Sequence, residues 1–285
     1  MTDYIQAIEV PGAPYGVTTT PDGTIWFSMA TTGAIGRYHD GTVTTYALEP
    51  ADGQPTVIVP GPDGAVWFTE FRGNRIGRIT ADGERISIAA DAPYGLCVGP
   101  DGALWFTELQ SGHIARLGAD GVITRFPVAG MPSMIVPGSD GALWFTLNQA
   151  NAIGRSTTDG EITVYPLPTE AANPVGITAG PDGALWFVEI GAGQIGRIDT
   201  DGTIDEFPLP DRAARPHAII AGPDQALWFT EWGAGRLGRV TTDGTITNLD
   251  LPGTEPHGLT AGSDGIITVA MESGILARVP VAIPS

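Results

Sequence analysis

PVGITAGPDGALWFVEIGAGQIGRIDTDGTIDEFPLP, residues 174–210, is the stretch that decides the fold. A short apolar run, Val175 to Ala179, leads into the turn Pro181-Asp182-Gly183. An apolar and aromatic strand follows, Ala184 to Glu189, then a glycine-rich loop and a third strand, Gln194 to Asp199. Asp201-Gly202 turns the chain into a fourth strand, Thr203 to Leu209. Asp-Gly between β-rich runs is a strong hairpin signal, because such turns need positive φ. Four antiparallel strands in about forty residues make one blade of a β-propeller.

The same unit recurs along the chain. Its aromatic pair returns as Trp26-Phe27, Trp67-Phe68, Trp105-Phe106, Trp144-Phe145, Trp186-Phe187 and Trp228-Phe229. An Ile/Leu-Gly/Ala-Arg triplet follows in each copy, from Ile35-Gly36-Arg37 to Leu276-Ala277-Arg278. Inner strands start near Pro14, Pro55, Pro93, Pro132, Pro174, Pro216 and Pro256. The expected fold is all-β: one domain over residues 1–285, a seven-bladed β-propeller of four-stranded antiparallel blades. After Arg278 the last unit has no fourth strand, and Ile5 to Pro11 reads like the outer strand Ile162 to Pro168. The N-terminal segment is therefore predicted to close the ring as the outer strand of blade seven, satisfying an open edge.

Composition narrows the function. Hydrophobic residues make up 42% and charged residues 16%, as in an ordinary globular chain. No apolar run reaches the roughly 18 residues of a membrane span. Met1 to Pro11 lacks the pattern of a secretory signal, so a cytoplasmic monomer is expected. The net charge of −18 argues against nucleic acid and anionic membranes. Much of it is structural, since thirteen of the 32 acids are aspartates of Asp-Gly dipeptides. All 14 basic residues are arginine, which removes lysine Schiff-base chemistry. Cys97, the single cysteine, lies in an apolar run and reads as a small buried side chain.

Seven copies within one chain provide an internal control. A residue shared by most copies is structural, whereas a polar residue that breaks the template at one face is a site candidate. The start of each inner strand lies beside the end of the second strand, opposite the Asp-Gly turns. Around the ring, the residue after each blade-starting proline is Tyr15, Thr56, Tyr94, Ser133, Val175, His217 and His257. Two of the four histidines thus fall at equivalent positions in adjacent blades; His39 and His113 lie away from this face. Glu70, Glu108, Glu189 and Glu231 recur after the aromatic pair and read as rim ion pairs. Blade seven departs from the template: it has no Trp-Phe, and its acid, Glu272, comes one place later. Glu255 precedes Pro256-His257 at the same mouth. Two carboxylates beside a histidine suit a hard cation such as Mg²⁺ and a neutral imidazole base.

These segments carry a family resemblance. Ala13-Pro14-Tyr15-Gly16, Arg215-Pro216-His217-Ala218-Ile219, Thr230-Glu231-Trp232-Gly233-Ala234, Glu255-Pro256-His257-Gly258 and Ala270-Met271-Glu272 resemble the streptogramin B lyases, also called virginiamycin B lyases. The resemblance implies that His257 is the general base and that Glu255 and Glu272 are magnesium ligands. It implies a substrate-binding role for His217, with Tyr15, Glu231 and Trp232 around the substrate. It also implies a cyclic depsipeptide substrate, opened at its ester linkage by elimination. Blade four departs from the family's pattern, with Leu147 where the template has glutamate. The residues alone leave two other functions open: a metal-dependent lactone hydrolase of the gluconolactonase kind, and a non-catalytic binding propeller.

Overall fold

The computed structural model describes residues 5–282. Its strands form seven four-stranded sheets, each antiparallel and, in six of them, consecutive in the chain. The seventh sheet joins Pro256–Ala261, Ile266–Met271 and Ile275–Pro280 to Gln6–Glu9. Gln6 pairs with Arg278 and Glu9 with Ile275, so the N-terminal strand closes the ring as expected from the sequence. Among the described residues, the helical content is a single short turn, Ala51–Gly53.

The repeat explains itself as packing. The Trp-Phe strands are buried along their whole length, with Trp105, Trp144 and Trp186 at 0% exposure. Each indole N–H needs a partner when buried. Trp144 and Trp186 donate to Asp140 and Asp182 of the preceding turn, at 3.0 Å in each case. The same aspartates take the arginine of the following triplet, Arg155 at 2.7 Å and Arg197 at 2.8 Å. One Asp therefore joins the turn, the second strand and the third strand. The triplet glycine is a steric requirement: a Cβ on Gly196 would stand 2.1 Å from the Phe187 ring. The net charge of −18 is thus in part a by-product of how blades are built.

Neighbouring blades are tied at the mouth by a second repeated device. In five blades the hydroxyl two places after the tryptophan of the Trp-Phe pair donates to the carbonyl of the mouth residue of the next blade. Thr69 reaches Tyr94 at 2.9 Å, Thr107 reaches Ser133 at 2.6 Å and Thr146 reaches Val175 at 2.7 Å. Thr230 reaches His257 at 2.8 Å. Blade five carries Val188 at this place, so the carbonyl of His217 receives no such bond from it.

Candidate active site

The residue before the blade-starting proline holds a left-handed backbone in six of the seven blades: Gln54, Ala92, Met131, Asn173, Arg215 and Glu255 have φ between 43° and 57°. For a non-glycine residue this conformation is uncommon. Here it belongs to the template, where it turns the chain into the inner strand. It leaves the Glu255 side chain exposed on the mouth. The backbone N–H of Glu272 donates to the Glu255 carbonyl at 3.2 Å, which holds the two acids together.

His257 follows at the top of the inner strand and is 8% exposed. Three rings enclose it. Tyr15 stacks on it at 4.3 Å with 29° between planes, and His217 meets it edge-on at 4.7 Å and 90°. Trp232 stands tilted at 6.2 Å. The Nε2 atom of His257 lies 3.0 Å from Glu272 Oε1, whereas Nδ1 is buried without a partner. Burial, then the neighbouring His217, pushes the His257 imidazole down to about 3. Burial alone pushes His217 down to about 4. Both rings therefore rest neutral. Burial, followed by the charge and hydrogen bond of Glu255, pushes the Glu272 carboxyl above its ordinary range. The contact at 3.0 Å thus joins a neutral ring to a carboxyl group under strain from a second carboxyl group.

The structure brings Tyr15, His217, Trp232, Glu255, His257 and Glu272 to one mouth. Glu231 is different. It is 0% exposed and occupied by Arg236 at 2.6 Å and Asn248 at 2.9 Å. Its carboxylate is therefore already paired within the protein. The same device holds Glu70 with Arg75, and Glu108 with Arg125. Thr230 was not singled out from the sequence, although its hydroxyl fixes the backbone of His257. Its signal was present as the recurring hydroxyl after Trp-Phe, but repetition marked it as scaffold. Arg215, also outside the candidate set, lies over the Trp232 ring at 4.9 Å.

As a metal site the mouth provides Glu255 and Glu272. Among the described residues no group of three or more His, Cys, Asp or Glu side chains forms a complete metal cage. Two crowded carboxyl groups with excess negative charge suit Mg²⁺, which takes one or two carboxylates and keeps several waters. The chemistry of the donor set fits that ion.

Fold and site together define a propeller with a neutral histidine–carboxyl pair at the mouth of its central channel. Residues 3–279 match the Virginiamycin B lyase family, and the chain belongs to that family. A virginiamycin B lyase of Nocardia farcinica is 56% identical over 177 residues, which cover 62% of this chain and 63% of that relative. The solved structure of selenomethionine-substituted virginiamycin B lyase from Staphylococcus aureus is 42% identical, with a TM-score of 0.93 over 98% of this chain and 99% of that one. A catalytically inactive histidine-to-alanine variant of the Staphylococcus aureus enzyme, solved with quinupristin, is 41% identical, with a TM-score of 0.92 over the same 98% and 99%.

Proposed function

We propose that the chain linearises a cyclic depsipeptide of the streptogramin B type by elimination at its ester linkage. The observation that carries this reading is the neutral, enclosed His257 with Nε2 3.0 Å from Glu272. It stands at the one blade where the repeat gives up its Trp-Phe strand. The family membership and the structure of a relative with quinupristin support the substrate class.

His257 removes the α-proton of the residue whose β-carbon carries the ester oxygen. The electron pair forms the α,β double bond, the β-carbon–oxygen bond breaks, and a carboxylate leaves. The products are a dehydro residue and a free carboxylate within one linear chain. Glu272 stands beside the imidazolium that results and offsets its charge. Tyr15, His217 and Trp232 wall the ring and hold the substrate against it. A base so positioned contributes about 10²–10⁴-fold in rate. Glu255 and Glu272 would hold Mg²⁺, which supplies Lewis-acid stabilisation of the developing negative charge. No nucleophile is required, and burial pushes the Cys97 thiol up, away from reactivity.

The test is turnover of a streptogramin B by purified protein with Mg²⁺, set against His257→Ala. The variant is expected to lose at least about 10²-fold in kcat. Near-normal turnover by the variant would remove His257 from the mechanism.

A further inference from the structure

Tyr94 stands in blade three, far in sequence from every motif segment of the site. In the ring of mouth residues, Thr56 separates it from Tyr15. Thr56 is small, buried and turned to the Thr69 hydroxyl at 3.0 Å. The space above it lets the two tyrosines meet, and their hydroxyls lie 3.1 Å apart. This bond spans from blade one to blade three across the mouth of the channel. Tyr94 is fixed on its other sides as well. Its carbonyl accepts from Thr69 at 2.9 Å, and Phe71 packs edge-on against its ring at 6.2 Å.

Tyr15 is the second link. Its ring stacks on His257 at 4.3 Å, and its carbonyl accepts the Gly258 N–H at 2.8 Å. It therefore grips the base by face and by backbone. Beneath it lies the central channel, a cavity of about 480 Å³ that Tyr15, Tyr94 and His217 line. A tyrosine ring with no anchor on its hydroxyl has room to swing into that space, and the imidazole stacked on it loses one wall. A base held loosely spends less time aimed at the proton it removes, and misplacement of a reacting group is costly in rate.

We infer that Tyr94 is a positioning residue for the reaction, acting through the Tyr15 hydroxyl to fix the ring plane of His257. The inference rests on the proposed role of His257 as base. It requires no contact between Tyr94 and the substrate.

The experiment compares wild type, Tyr94→Phe, Tyr15→Phe and the double variant, with a streptogramin B as substrate and Mg²⁺ present. Tyr94→Phe keeps the ring and its packing on Phe71 and removes only the hydroxyl. It is expected to lower kcat about five- to tenfold with KM unchanged, the scale of one hydrogen bond. The double variant is expected to match Tyr15→Phe alone, because both substitutions break one bond. In parallel, NMR relaxation of the His257 ring is expected to show new exchange in Tyr94→Phe. An active wild type, with Tyr94→Phe unchanged in kcat and in ring dynamics, would overturn the inference. So would losses in kcat that multiply in the double variant. A wild type that fails to turn over, with the His257 ring nevertheless loosened in Tyr94→Phe, would sink the proposed function and leave the positioning contact standing.

Discussion

The Thr230 hydroxyl donates to the main-chain carbonyl of His257 at 2.8 Å, so blade six holds the histidine that blade seven presents at the mouth. The bond is buried and repeats a tie found between other pairs of blades. At this joint alone, the carbonyl it holds belongs to the proposed base.

Removing that hydroxyl should therefore separate stability from catalysis. Thr230→Val and Thr107→Val each delete one buried interblade bond and leave a carbonyl without its partner. Each is expected to cost about 1–3 kcal/mol in urea unfolding. Only Thr230→Val should lower kcat as well, since Thr107 serves Ser133, three blades back around the ring. Equal kcat in the two variants would show that the tie does not steer His257.

Glu189 should make stability fall as pH rises. The acids at its position in other blades have arginine partners, whereas Glu189 has the Gln194 amide at 2.7 Å. Burial, with a further push from the Glu206 charge, raises its carboxyl to about 7. Between its unfolded value, 4.5, and about 7 the folded state binds the extra proton. Its contribution is thus fully present below 4.5 and is lost as pH rises through about 7, at up to about 1.4 kcal/mol per pH unit. Glu189→Gln is expected to flatten this dependence between pH 5 and pH 8, in a series of urea melts at roughly unit pH steps. A slope that is the same in the variant would assign the effect elsewhere.

Metal dependence is expected to follow Glu255 and Glu272. Chelation should suppress turnover and Mg²⁺ should restore it. Glu255→Gln, at an exposed side chain, should raise the Mg²⁺ concentration needed for half-maximal rate and change stability by less than about 0.5 kcal/mol. Full activity in excess chelator would remove the ion from the reaction.

The sequence exposed the architecture because each blade repeats the same solution to burying an indole and a phenyl ring. Ring closure was legible too, since Ile5 to Pro11 matches an outer strand and the last unit lacks one. The meeting of His217, His257, Glu255 and Glu272 at one mouth was legible because these residues break the template. Three features were not. The partners of Glu231, Arg236 across the strand pair and Asn248 one strand further out, depend on strand register, which the spacing of the repeated acids does not specify. Thr230 looked like scaffold because it is repeated. The meeting of Tyr15 with Tyr94 depends on the small size of Thr56 and on the diameter of the ring, a tertiary property that no local pattern encodes.

The mass of the linear product tests the central claim most directly. Purified protein is incubated with a streptogramin B and Mg²⁺, and the ring-opened species is weighed by mass spectrometry alongside its ultraviolet spectrum. Elimination adds nothing, so the account predicts a product isobaric with the cyclic substrate and absorbing as a dehydro amino acid. A product heavier by one water, without that absorbance, would contradict the account and show hydrolysis of the ester in its place.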